Sequence, residues 1–287
     1  MLAIWAVPAA RRALRRRRID AVMGGGGYVA GPAGVAALSL RLPLVLTEAD
    51  RHLGLANRLL ARRARRVCLA FPIDGLGGDR YLVTGRPVPA SIGHSDRAAA
   101  RDRFGIGADA RCLLVFGGSQ GSRTINEAAL AAFAGGEPRR FHVLHISGHR
   151  DYATAQRELD ATSPERYTLV EYEPDLADSL AACDLVLARA GGSVFELAAA
   201  GRPAILVPYP YASARHQHAN AAWMADAGAA VVVEDADLDP QRLSALAADL
   251  LGDDARLEQM SAASAALARP DAADRIADEI LAAAEAR

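Results

Sequence analysis

The chain has 287 residues, just over half of them hydrophobic, which is enough for two domains at about 150 residues each. A formal net charge of −1 conceals a polarity: residues 1–90 carry 15 Arg against 5 Asp and Glu, and residues 91–287 carry 18 Arg against 29. No apolar run reaches the ~18 residues that cross a bilayer, and the N-terminal apolar stretch precedes its basic cluster, the reverse of a secretory signal.

Residues 1–18 read as a helix, with Pro8 as a break. Leu2, Ile4, Trp5 and Val7 precede Arg11, Arg12 and Arg15–Arg18. Two readings fit: a surface helix docked by its apolar side, or an interfacial segment with apolar residues among lipid tails and arginines among anionic headgroups. Short apolar runs at 20–23, 43–47, 66–70 and 81–84 are spaced as parallel strands. Between them lie helices, one with Pro32 in its first turn and running to Leu40, the other over 54–64. Residues 85–95 are rich in Pro and Gly and read as a linker. The alternation then restarts, with strands at 112–116, 141–146, 167–171, 184–188, 204–207 and 229–233, crossover helices between them, and a helical tail from 240. The expected fold class is α/β with two doubly wound, Rossmann-like domains. Residues 1–84 form a partial first domain and 96–287 a complete second one with its tail.

Two glycine turns follow strands and open helices, where backbone N–H groups and the helix dipole can hold phosphate. Gly117-Gly-Ser-Gln-Gly121 places Ser119 in the first, although a left-handed turn with a Ser cap explains it equally well. Arg189-Ala-Gly-Gly-Ser193 is the second. Gly191 and Gly192 would admit a diphosphate, which Arg189 could neutralise unless it is simply a surface arginine. Ser193 and Glu196 fit a capping box, or Glu196 takes both hydroxyls of a ribose. His216, Gln217 and Asn220 open a helix in the next loop, which converges on the same crevice or is an ordinary polar first turn. Asp235, Asp237 and Asp239 read as acidic residues leading into a helix rather than as metal ligands. Cys68, Cys112 and Cys183 stand apart beside apolar runs without metal-ligand spacing, as buried free thiols do.

Taken in order, these motifs, together with Gly26-Gly-Tyr-Val-Ala-Gly-Pro-Ala-Gly34, Thr47-Glu-Ala-Asp50 and Gly54-Leu-Ala-Asn57, resemble the lipid II-forming GlcNAc transferases of bacterial peptidoglycan synthesis over nearly the whole chain. The resemblance implies a GT-B fold and an inverting, metal-free transfer of GlcNAc from UDP-GlcNAc to the MurNAc 4-hydroxyl of lipid I. It needs no cofactor and no nucleic acid, and it places the protein peripherally on the cytoplasmic side of the plasma or inner membrane. It assigns Ser119 to the nucleotide, the backbone near Glu173 to uracil, Gly191–Ser193 to the diphosphate, Glu196 to ribose and Gln217 to GlcNAc. His216, Asn220, Asp50, Arg86 and Arg189 complete the donor set. Gly27, Tyr28, Gly31 and Glu48 face the acceptor, and residues 1–18 match the family's membrane-contact region.

Three departures stand out. The family's N-terminal glycine loop, whose His is a candidate general base, has no counterpart, so the chain reads as truncated at its N-terminus and its catalytic base is unassigned. Asp50 replaces a usual Asn. Pro89 replaces a usual Arg, for which Arg86 can substitute. The rival readings are a non-catalytic UDP-sugar-binding remnant, another GT-B transferase with a lipid or natural-product acceptor, and a nicotinamide enzyme. The last lacks the ribose-binding acid expected after Gly121.

Overall fold

The computed structural model describes residues 2–118, 120–135, 140–212 and 216–286, with backbone alone for 2–5. Two compact units emerge, Met1–Val88 with Arg269–Arg287, and Pro89–Ala268.

The front unit runs α1 (Leu2–Arg16), β1 (Val22–Gly24), α2 (Gly27–Ser39), β2 (Leu44–Glu48), α3 (Leu55–Leu60), β3 (Arg66–Leu69) and β4 (Tyr81–Val83). Its strands are parallel in the order β1-β2-β3-β4. Successive strand residues point to opposite faces, and both faces are covered. Leu44, Leu46, Val67 and Leu69 meet Leu60 and Ala61 on one side, while Val45 and Cys68 meet Ile276 and Ala283 of the C-terminal helix Ala272–Glu285 on the other. A sheet buried twice needs the unbroken apolar runs seen in the sequence.

The second unit runs α4 (Arg97–Arg103), β5 (Arg111–Phe116), α5 (Arg123–Phe133), β6 (Phe141–Ile146), α6 (Tyr152–Thr162), β7 (Tyr167–Val170), α7 (Ala177–Ala182) and β8 (Leu185–Ala188). It continues through α8 (Val194–Ala199), β9 (Ala204–Leu206), α9 (His216–Asp226), β10 (Ala230–Val232), α10 (Pro240–Leu251) and α11 (Asp254–Ala266). Its six strands are all parallel, in the order β10-β9-β8-β5-β6-β7. This is a doubly wound sheet whose winding reverses between β8 and β5, the place where such sheets open a crevice at their carboxyl ends.

Four sequence expectations change. The helix of Pro32 begins earlier, at Gly27, because Gly26 and Gly27 take positive φ (79° and 73°) and turn the chain there. Pro32 is then an interior residue, and the N–H it lacks would have met the carbonyl of Tyr28 at the helix end. The helix expected over 54–64 stops at Leu60 and finishes as a 3-10 turn, Ala61–Arg63. Helix α4, too short to show periodicity, follows the linker, and the unit boundary falls inside that linker between Val88 and Pro89. The last part of the tail leaves the second unit, because its C-terminal helix supplies the apolar cover for Val45 and Cys68.

At the amino ends of the strands a single carboxylate organises the second unit. Asp184, just before β8, pairs with Arg97 (2.7 Å), Arg101 (3.2 Å) and Arg111 (3.3 Å) and accepts from the Cys112 backbone N–H at 2.8 Å. Arg101 is only 5% exposed and also donates to the carbonyls of Ala182, Gly107 and Ala110. Removing the carboxylate would leave a buried guanidinium without its counter-charge. Asp184→Ala is therefore expected to lower stability by about 3–5 kcal/mol, read as a shift in the urea midpoint at unchanged slope.

Candidate functional site

The loops at the carboxyl ends of β5–β9 enclose a cavity of about 440 Å³, within the range of small-molecule sites. The loop after β5 contributes Gly117, Gly118 and Gln120, and that after β6 contributes Gly148. Tyr172 and Glu173 come from the loop after β7. The β8–α8 segment adds Arg189, Gly191, Gly192, Ser193 and Glu196, and Gln217 comes from α9. Seven residues expected at the donor site from sequence thus share one cavity: Glu173, Arg189, Gly191, Gly192, Ser193, Glu196 and Gln217. Ser119 lies outside the described residues.

The glycines divide by cause. A Cβ on Gly117 would stand 2.2 Å from the Ser122 nitrogen, and one on Gly121 (φ +71°) 2.5 Å from the Ser147 carbonyl oxygen. Both are fixed by chain packing. Gly191 has no positive φ, and a Cβ there would meet nothing within 4 Å. No neighbour in the fold excludes a side chain at Gly191, and the space beside it belongs to the cavity.

Polar partners sort the remaining residues. Arg189, 8% exposed, donates from Nε to Ser122 Oγ (2.9 Å) and from a terminal nitrogen to the Val207 carbonyl (3.2 Å), and it pairs with Asp235 at 2.5 Å. Its charge is matched within the fold, and it ties together the loops after β5, β8 and β9. The Asn220 amide donates to the Ala190 carbonyl (3.0 Å) and so braces the turn at Gly191 from behind. Gln217 accepts from the Tyr209 backbone N–H at 2.9 Å. His216 begins α9 and does not line the cavity. Glu173 directs its carboxylate to Arg103 at 2.6 Å, and Arg103 also holds Asp178 at 2.8 Å. Arg103 was missed from sequence because helix α4 was missed.

The capping box does not form. Ser193 has helical backbone angles and makes no side-chain cap; its hydroxyl donates to the Arg189 carbonyl at 3.4 Å. Asp239 does cap its helix, accepting from the Arg242 N–H at 2.9 Å, whereas Asp235 serves Arg189 instead. The three cysteines are buried, and burial pushes the Cys68 and Cys183 thiols up to about 11, so they stay protonated.

The other expected residues lie in the front unit. Glu48, 8% exposed, accepts from the backbone N–H groups of Asp50 (3.2 Å) and Gly54 (2.8 Å) and from the Asn57 amide (2.9 Å). It staples the loop that carries Asp50. Arg86 is exposed and lines an apolar groove beside the C-terminal helix. Gly31 packs near Ala56, while Gly27 has open space around it. Tyr28 is almost fully exposed.

Helical spacing places Tyr28 and Val35 on one outer stripe of α2. Gly31 and Gly34 of the adjoining stripe meet Ala56 and Leu60 of α3. Leu55 and Leu59, 64% and 71% exposed, flank that contact. Arg58 and Arg62 lie on the same short stretch and are exposed, as are Arg11, Arg12, Arg15 and Arg16 of α1. Val7, Ala10 and Leu14 of α1 are partly covered at helical spacing, so the described part of that helix presents arginine outward. The side chains of Leu2, Ile4 and Trp5 lie outside the described residues.

The Glycosyltransferase family 28 C-terminal domain profile matches residues 112–276, and the N-terminal domain profile matches residues 1–69. A protein of Halorhodospira halophila named UDP-N-acetylglucosamine--N-acetylmuramyl-(pentapeptide) pyrophosphoryl-undecaprenol N-acetylglucosamine transferase is 43% identical over 276 residues, 95% of this chain and 75% of its own length. A Moorella thermoacetica protein of the same name is 40% identical over 280 residues, 93% of this chain and 75% of its own. Among solved structures, MurG of Acinetobacter baumannii superposes with a TM-score of 0.80 at 30% identity, covering 98% of this chain and 80% of that one. A UDP-GlcNAc 2-epimerase of Neisseria meningitidis, at 15% identity and a TM-score of 0.71, shares the fold.

The two kinds of glycine differ in what a methyl group would do. Gly121→Ala is expected to destabilise by about 2–4 kcal/mol through left-handed strain and collision with a backbone oxygen. Gly191→Ala should stay within about 0.5 kcal/mol of the parent. Chemical denaturation of both variants measures the contrast.

Proposed function

The chain belongs to glycosyltransferase family 28, and we infer that it transfers GlcNAc from UDP-GlcNAc to lipid I, forming lipid II for peptidoglycan. The observation that carries the reading is the convergence of Gly191, Gly192, Glu196, Glu173 and Gln217 on one cavity at the carboxyl ends of the second unit's strands. In this reading the nucleotide lies against the backbone near Glu173, whose carboxylate is turned away toward Arg103. Glu196 takes the ribose hydroxyls, the turn at Gly191–Ser193 takes the diphosphate, and Gln217 takes the sugar.

The reaction is a direct displacement at the anomeric carbon. The MurNAc 4-hydroxyl attacks and gives up its proton as the bond to UDP breaks. Charge develops on the leaving diphosphate, and preformed backbone N–H groups at the Gly191–Ser193 turn stabilise it more in the transition state than in the ground state. The transfer is read as metal-free. Two carboxylates of the cavity wall have other duties: Glu173 pairs with Arg103, and Asp175 accepts from the Ala177 N–H at 3.0 Å. In the front unit Glu48 acts by holding its loop, and Gly27 and Tyr28, in the first turn of α2, face the acceptor.

Association with an anionic membrane surface is part of the same proposal. No helix among the described residues is long and apolar enough to cross a membrane. The exposed stripe of Tyr28, Val35, Leu55 and Leu59, rimmed by arginine, suits a peripheral attachment in which apolar burial and headgroup charge act together.

Two measurements test this reading. Glu196→Ala should weaken UDP binding by about 1–3 kcal/mol through lost charged hydrogen bonds, and Gly191→Ala should weaken it without loss of stability. Titration calorimetry reads both, and undiminished affinity in the folded variants would remove the assigned roles. For the membrane, the double variant Leu55→Asp with Leu59→Asp should reduce sedimentation with phosphatidylglycerol vesicles by about tenfold or more, while UDP affinity stays unchanged.

A further inference from the structure

Beneath the cavity lies a buried polar chain that the transfer chemistry does not use. His145, in β6, is fully enclosed. Its Nδ1 is 2.8 Å from the Tyr167 hydroxyl of β7, and its Nε2 is 3.0 Å from Oδ1 of Asn126 in α5. The Asn126 amide nitrogen lies 2.9 Å from the Ser147 carbonyl and 2.8 Å from the Asp151 carboxylate.

The direction of every bond follows from the ends. Two acceptors, the Ser147 carbonyl and the Asp151 carboxylate, face one amide group of Asn126, so that group is NH₂ and the other is the oxygen. The oxygen can only accept, so His145 carries its proton on Nε2. Burial pushes the imidazole down to about 3, so the ring is neutral and Nδ1 is bare. Nδ1 therefore accepts from the Tyr167 hydroxyl. The two acceptors thus fix the amide orientation, the amide oxygen fixes the histidine tautomer, and the tautomer makes the Tyr167 hydroxyl the donor that closes the chain.

That carbonyl belongs to the turn pressed against Gly121. The Ser147 oxygen is the atom a Gly121 Cβ would strike at 2.5 Å, and a Cβ on Gly148 would lie 2.9 Å from the Gly121 Cα. Ile146 and Gly148 both line the cavity. We propose that Tyr167, His145 and Asn126 are positioning residues, a directional hydrogen-bond chain that sets the Ser147–Gly148 wall of the donor cavity and with it the affinity for the uridine diphosphate moiety. The inference rests on the donor-site assignment made above and names residues outside it.

Tyr167→Phe is the test, because it removes one hydroxyl and keeps the ring that packs against the core. Nitrogen-15 NMR of the His145 ring reads the tautomer, and calorimetry reads UDP binding. The expected result is an Nε2–H tautomer that persists, with the Nδ1 resonance shifted by loss of its donor, together with a UDP Kd raised about fivefold or more. In donor turnover, KM for UDP-GlcNAc should rise while kcat holds. His145→Gln, whose amide can accept from Tyr167 and donate to Asn126, should keep affinity within about twofold, whereas His145→Leu should lose it. If His145→Leu does not fold, Tyr167→Phe with His145→Gln still decides. An unchanged UDP Kd in Tyr167→Phe, with or without a shift at Nδ1, overturns the inference. Absence of UDP binding by the parent chain would instead remove the donor-site reading itself, so the two failures are distinct.

Discussion

Because a Cβ at Gly121 would stand 2.5 Å from the Ser147 carbonyl oxygen, the turn after β5 can reach the turn after β6 only without a side chain. This contact fixes the distance between the first two loops over the sheet. The cavity wall from Gly117 to Gly148 inherits its shape from it. Packed interiors leave no slack to absorb an extra methyl group, so a change at this point must move a loop. The polar chain from Tyr167 approaches the same carbonyl from below, so the contact is held by sterics on one side and by hydrogen bonds on the other.

Two buried arginines of the second unit, Arg101 and Arg189, are each matched by a carboxylate. Asp184 gathers Arg97, Arg101 and Arg111 at the amino end of β8, and Asp235 matches Arg189 at the carboxyl end. A desolvated ion pair contributes little net stability, but breaking one is costly; such pairs therefore act as registration devices between loops. With Arg189 neutralised, the diphosphate of the proposed reading meets the oriented backbone N–H groups of the Gly191–Ser193 turn. Those groups keep their geometry during reaction and need no reorganisation.

The strands, their parallel order and most helices were legible because a sheet covered on both faces leaves unbroken apolar runs, and glycine turns punctuate them. Most of the cavity was legible too, since the glycine turns and Glu196 lie at strand ends. What was not legible is instructive. Helix α4 has seven residues, too few for a period to show, and with it Arg103 and the orientation of Glu173 were hidden. His145, Asn126 and Tyr167 are separated by about 20 residues in sequence, and nothing local marks them as partners. Arg189 read either as a phosphate neutraliser or as a surface arginine, because its carbonyl acceptors and Asp235 are brought to it only by the fold. The C-terminal helix carries an apolar face that would suit either sheet, and only packing assigns it to Val45 and Cys68.

The motif of Ser193 and Glu196 shows how a local explanation is tested against a structure. A capping box requires the Ser backbone to be extended and its hydroxyl to accept from the helix. Ser193 is instead helical, and its hydroxyl donates backward to the Arg189 carbonyl. The Ser193 half of the box is therefore absent. The helix dipole favours an acid in the first turn by about 0.3–1 kcal/mol, but that preference would be met by Asp or Glu anywhere in the turn. Within the first turn of this helix, position 196 is the one that borders the cavity, and the ribose role proposed for Glu196 rests on that placement.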